Sequence, residues 1–204
     1  MATTSDRILI GTRKGLIEAH KTSGTWTLRA PALEGQPIVY AVRDPRDGAL
    51  WASIDHGHWG VKLSRSKSDD GAFEEVAAPK YPEDTGATSK YYWVLTPGHA
   101  DRPGTFHVGT EPGGLFTTTD AGASWELNRP LGELCVQHKW AGGGRDGAGI
   151  HSILVDPRDA DHLYVGVSCA GVCESRDGGA TWAYVNKGLR MDYAPPDQQD
   201  MEYG

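Results

Sequence analysis

Glu111 is the side chain best placed by type and setting to do chemistry in this sequence, with Asp55 and Asp146 next. Two carboxyl groups about 5 to 10 Å apart can cleave a glycosidic bond, one giving a proton and the other acting as base or nucleophile. Trp59, Trp93 and Trp140 offer aromatic faces on which sugar rings stack, and Arg13, His56, His58, His138, Arg145 and His151 are the polar and charged candidates for ligand contact. The His56-Gly57-His58 turn is compatible with a divalent ion. Four histidines in a polar funnel more often make hydrogen bonds, and no Cys and His tetrad has the spacing of a closed metal site, so no metal is expected. Cys169 and Cys173 flank a tight turn inside a strand pair and read as packing residues.

These residues need a scaffold, and a recurring motif supplies it. Thr118-x-Asp120-x-Gly122-x-Ser124-Trp125 and Ser175-x-Asp177-x-Gly179-x-Thr181-Trp182 match at each defined position, and residues 22–26 carry a shortened copy. The motif explains itself mechanically. The aspartate accepts backbone N–H groups, the glycine supplies a positive φ, and the tryptophan covers the hairpin. Thr118, Asp120, Gly122, Trp125, Ser175, Asp177, Gly179 and Trp182 are therefore assigned structural work. Strand patterns fall at residues 38–43, 49–54, 61–66, 91–95, 105–110, 150–155 and 162–168, separated by turns such as Asp44-Pro45-Arg46-Asp47-Gly48 and Asp156-Pro157-Arg158-Asp159. The turn glycines Gly15, Gly60, Gly114 and Gly171 recur at intervals of roughly 45 to 57 residues, close to the period of propeller blades.

The expected fold is all-β: one domain over residues 1–204, with about four four-stranded antiparallel blades at 7–30, 38–77, 91–128 and 150–186. The alternation of turns puts the Asp-Pro turns and the Asp motifs on one end of each blade. Arg13, His56 to Trp59, Glu111 and the long glycine-rich loop holding His138, Trp140, Arg145 and Asp146 fall on the other. The first repeat starts at its second strand, and residues 187–204 are polar and rich in proline. The chain is thus expected to be an open arc of a larger propeller, an N-terminal fragment with 187–204 as a linker.

Composition narrows the remaining classes. The 204 residues carry a formal net charge of -7, which argues against a sequence-independent grip on nucleic acid. Residues 1–7 lack a leader pattern and no apolar run approaches a membrane span, so the cytoplasm is the expected compartment and no membrane contact is expected. The glycines at 142–144 do not form a phosphate loop, since G-x-x-x-x-G-K-(S/T) is missing, and no cofactor is expected.

The opening Ile10-Gly11-Thr12-Arg13-Lys14-Gly15-Leu16, the His56 to Gly60 turn, Asp44 to Gly48, Glu111-Pro112 and the two complete Asp motifs together resemble the BNR or Asp-box repeat family, the sialidase-like β-propellers. The resemblance runs from about Arg7 to Gly204. It implies a propeller related to bacterial BNR-repeat glycosyl hydrolases and exo-α-sialidase-like proteins, with a carbohydrate or another small polar ligand bound or hydrolysed at the channel mouth. Some relatives of this type are non-catalytic and serve protein binding or assembly, which is the alternative reading. The family's aromatic-Arg-Ile-Pro motif has no counterpart here, because Arg7-Ile8-Leu9-Ile10 contains no proline, so its arginine clamp is not carried over.

Overall fold

Short β-rich segments punctuated by turn residues give four successive antiparallel meanders in the computed structural model, which describes residues 5–67, 72–140, 145–168, 170–192 and 195–200. Residues 68–71 of a degenerate Asp turn read at 68–73, Cys169, the glycines 142–144 and residues 201–204 lie outside the described residues. The chain divides into two compact units, residues 1–76 and 77–204.

Unit 1 holds two sheets. The first is three-stranded, β1 (Arg7–Thr12), β2 (Gly15–Thr22) and β3 (Thr25–Leu28), in sequence order. The first blade thus begins at the strand equivalent to the second strand of the others, as the sequence repeat implies. The second sheet is β4 (Ile38–Arg43), β5 (Leu50–His56), β6 (Gly60–Ser66) and β7 (Glu74–Val76). Leu16, Ile38, Ala52 and Ile54 form the core between the two sheets, with Leu9, Leu33, Ala41 and Phe73 packed against it.

Unit 2 repeats the arrangement with two four-stranded sheets. One is β8 (Tyr91–Pro97), β9 (Phe106–Glu111), β10 (Leu115–Thr118) and β11 (Glu126–Leu127). The other is β12 (Ile150–Val155), β13 (Leu163–Val167), β14 (Gly171–Ser175) and β15 (Ala183–Tyr184). All six residues of β9 are buried, because both faces of this second strand are covered. The outermost strands are only two to four residues long, which limits the edge each sheet offers for pairing with another chain.

Cys173 is buried in the core with Val165, Ile150 and Leu115, and burial pushes its thiol up to about 12. It pairs with Val165 and Tyr184 where Phe116 pairs with Val108 and Leu127, so it occupies the equivalent packing position one blade on.

The Asp motifs form the turns β10–β11 and β14–β15. Asp177 Oδ1 accepts from the Ser175 hydroxyl at 2.8 Å and from the Thr181 N–H at 2.8 Å, and Oδ2 accepts from the Thr181 hydroxyl at 2.5 Å. Asp120 repeats this with Thr118 and Ser124 at 2.6 to 2.9 Å. Gly122 and Gly179 take φ of 88° and 93°, the left-handed region open to glycine. The tryptophans also reach beyond their hairpins. Trp125 Nε1 donates to the Ala77 carbonyl at 2.8 Å and Trp182 Nε1 to Asn128 Oδ1 at 3.0 Å, fastening each turn to an upstream segment.

One helix departs from the expected loop. The segment read as a loop over 131–149 begins inside α1 (Arg129–Gln137), capped by Asn128, whose side-chain oxygen accepts the Leu131 N–H at 2.9 Å. Pro130 in the first turn and the buried Leu131 fit a helix start, a signal outweighed in the sequence by the glycines that follow.

Candidate functional site

The first strand of each of the three four-stranded sheets carries a bulge near its start, between Ile38 and Tyr40, Tyr92 and Val94, and Ile150 and Ser152. A bulge leaves one residue unpaired and re-aims its side chain. In unit 2 those residues are Trp93 and His151, both sequence candidates, and their rings meet at 6.2 Å between centroids. Tyr91 extends the aromatic group, edge-on to Trp93 at 5.7 Å. His151 Nδ1 lies 2.9 Å from the Ser152 hydroxyl.

Glu111 ends β9 at the turn opposite the Asp120 turn of the same sheet, as the meander requires. Its two carboxylate oxygens are engaged: Oε2 by Arg145 Nε, and Oε1 by the Gly147 N–H at 3.2 Å. Arg145 in turn lies over the Tyr91 ring, 4.1 Å from its centroid. Glu111 is 1% exposed. The structure therefore unites two residues that lie 34 apart in sequence, an exposed arginine clamping a buried carboxylate. Arg145→Ala should release residues 145–149 from this clamp. Hydrogen exchange at the Gly147 amide is expected to rise at least about tenfold, while the amides of β13 keep their protection.

The neighbouring turn is held from beneath by Tyr81, which sequence reasoning did not single out. Its hydroxyl donates to the Pro112 carbonyl at 2.7 Å and lies 2.9 Å from Thr110 Oγ1. Burial pushes this phenol up to about 12, against the lowering influence of the Thr110 contact. Trp140, after α1, packs near Gly113 and donates from Nε1 to the Tyr184 hydroxyl at 2.6 Å. His138 meets the same tyrosine edge-on at 5.1 Å. His138 and His151 thus have different aromatic partners. Asp146 is exposed.

In unit 1 the β5–β6 turn presents a second group. His56 Nδ1 accepts the N–H groups of His58 at 3.3 Å and Trp59 at 3.2 Å, so this imidazole shapes the turn. His58 packs edge-on against Trp59 at 4.6 Å, and Trp59 remains 67% exposed. Beside it lies a groove of about 360 Å³ lined by Glu34, Gly35, Gln36, His56, Trp59 and Lys62. Glu34, Gln36 and Lys62 were not anticipated, because they come from a connecting segment and from the strand after the turn. Asp55 is half-buried on β5 opposite Val61, and Arg13 is exposed in the β1–β2 turn. Among the described residues no group of three His, Cys, Asp or Glu side chains is arranged to hold a metal ion. No helix of the described residues is long and apolar enough to cross a membrane.

No family model matches the chain, and no curated protein matches it. Solved structures do. A GH74 enzyme of Niastella koreensis is 18% identical with a TM-score of 0.63, covering 89% of this chain and 28% of its own. A GH74 xyloglucanase from Xanthomonas campestris is 15% identical with a TM-score of 0.63, covering 93% of this chain and 29% of its own. YCF48 from Cyanidioschyzon merolae is 16% identical with a TM-score of 0.56, covering 89% and 53%. The chain spans less than a third of the two GH74 structures and about half of YCF48. At this level of identity the likeness is one of fold, and the fold is that of a β-propeller, here four consecutive blades with the first three-stranded.

Proposed function

We propose that this chain is part of a BNR or Asp-box propeller that binds carbohydrate at the blade ends opposite the Asp turns, without hydrolysing it. The observation that carries this reading is the exposed Trp59 indole beside a groove lined by Glu34, Gln36, His56 and Lys62. A sugar ring offers an apolar C–H face and a belt of hydroxyls. An exposed indole takes the first, and planar polar side chains beside it take the second. Sugar-acting neighbours such as the GH74 xyloglucanase agree with this ligand class. Hydrolysis is disfavoured by Glu111, whose carboxylate is buried and occupied by Arg145 and Gly147.

Titration of the chain against a panel of neutral oligosaccharides by calorimetry tests the reading. Wild type is expected to bind one of them and to turn over no aryl glycoside. Trp59→Ala should weaken binding about tenfold, the worth of a stacked ring, and leave Tm within about 1 °C because the indole supports no core. Binding unchanged by Trp59→Ala would overturn the site, and turnover lost in Glu111→Gln would overturn the non-catalytic reading.

The other reading, a propeller used for protein binding or assembly, has its own support. Trp26 and Leu28 on the outer strand β3 are 42% and 68% exposed, and one YCF48 structure is of that protein bound to a D1 peptide.

A further inference from the structure

The β5–β6 turn is fastened by a side chain that can change its charge. His56 ends β5, and its Nδ1 accepts the His58 N–H at 3.3 Å and the Trp59 N–H at 3.2 Å. Both donors are backbone amides, so Nδ1 must offer its lone pair to them, and the neutral ring carries its hydrogen on Nε2. The corresponding turn of the first sheet is fastened differently. Thr12 ends β1 there, and its hydroxyl accepts the Lys14 N–H at 3.0 Å and donates to the Gly15 carbonyl at 2.7 Å. A hydroxyl does this work at any pH, whereas an imidazole nitrogen does it only while the ring is uncharged.

Trp59 depends on this turn for its place. Its indole is 67% exposed and meets the His58 ring edge-on at 4.6 Å and the His56 ring at 6.4 Å, both contacts lying within the turn itself. Nothing lies within 4 Å of a Cβ added at Gly57 or Gly60, so no neighbouring segment props the turn at either glycine. A proton on Nδ1 would turn the shared acceptor into a third N–H facing the same two donors. Both hydrogen bonds are then lost together.

Other charged groups stand near the imidazole within unit 1. Glu34 lines the groove from the segment between β3 and β4, and Lys62 lines it from β6, where its amine pairs with Glu75 of β7 at 2.6 Å. Asp55 precedes His56 on β5, and the exposed Arg13 and Lys14 lie in the β1–β2 turn, whose Lys14 carbonyl accepts the Gly35 N–H at 2.9 Å. Carboxylates ordinarily change charge below the histidine range of about pH 5 to 8, and lysine and arginine above it. His58 shares the range with His56, but its ring accepts neither amide.

We propose that the β5–β6 turn is a proton-operated latch: neutral His56 holds Trp59 in place for stacking, and protonation at Nδ1 releases it, so the saccharide site closes in acid. The proposal rests on the carbohydrate reading of this groove and adds what controls it.

Two measurements on the folded chain test it. NMR follows the His56 ring together with the His58 and Trp59 amide protons, and calorimetry follows affinity for the neutral oligosaccharide that wild type binds. Between about pH 7.5 and about pH 5 both amide protons are expected to shift with the midpoint of the His56 ring and to lose protection relative to an unstructured chain, while the amides of β5 keep theirs. Affinity is expected to fall about tenfold over the same interval, because only the fraction with neutral His56 is competent to bind. His56→Asn supplies a side-chain oxygen that accepts turn amides and does not titrate, so its affinity, whatever its value, should change by less than about twofold across the interval. His58→Gln should keep the full fall. Amide protons that ignore the His56 titration, or a His56→Asn protein whose affinity falls as steeply as that of wild type, would overturn the latch. A chain with the coupled titration that binds no saccharide at about pH 7.5 keeps the latch and overturns the carbohydrate reading, whereas saccharide binding that is flat in pH keeps that reading and overturns the latch.

Discussion

Gly109→Ala is expected to lower Tm by about 10 °C, a loss of about 3 kcal/mol. Gly109 lies in β9, between Val94 on β8 and Leu115 on β10. A methyl group there would sit 2.5 Å from the Ile150 carbonyl oxygen, 2.8 Å from Ile150 Cγ2 and 2.8 Å from Val94 Cγ1. The obstacle is backbone, and Ile150 is itself held in register with Val167, so relief requires the two sheets of unit 2 to move apart. Their shared core of Val94, Leu115, Ile150, Ile153, Val165 and Val167 would open with them. Unit 1 repeats the contact more loosely, with Gly11 against the Ile38 carbonyl at 3.1 Å. Gly57→Ala is the control, since nothing lies within 4 Å of its added carbon, and it should melt within about 2 °C of wild type. Equal melting of the two variants would refute the packing account.

Asp177→Ala should cost about 5 °C in Tm at neutral pH, and the deficit should vanish in acid. The Thr181 hydroxyl, the Thr181 N–H and the Ser175 hydroxyl all donate to this carboxylate and hold it at about 2. In the unfolded chain an aspartate titrates near 3.9. The folded value is the lower one, so the contribution is present in full above pH of about 4 and is lost as the pH falls through about 2. Wild type and Asp177→Ala melting curves should therefore converge between about pH 4 and pH 2. Asp120, also held at about 2 by Ser124 and Thr118, should behave alike. A deficit that stays constant down to pH 2 would show that the side chain works through something other than these three hydrogen bonds.

The sequence by itself determined the strands and turns. The ranges 38–43 and 150–155 read from alternation coincide with β4 and β12, and the Asp motifs close the hairpins that their spacing requires. The missing first strand of the first blade was equally legible, because residues 7–11 align with the second strands of the other repeats. All of these rest on contacts within about eight residues, where side-chain period and turn chemistry act without knowledge of the rest of the chain.

The tertiary structure decided what the candidate residues can do. Glu111 reads from sequence as a rim carboxylate, yet its availability depends on Arg145 and Gly147, brought back from 34 and 36 residues away. Trp93 and His151 were named as site residues without the bulges that aim them, since a bulge is visible only when two strands are paired. The groove at Trp59 needs Glu34 and Gln36 from a connecting segment. A residue's exposure and its charged neighbours are properties of packing between distant segments, and no local pattern encodes them.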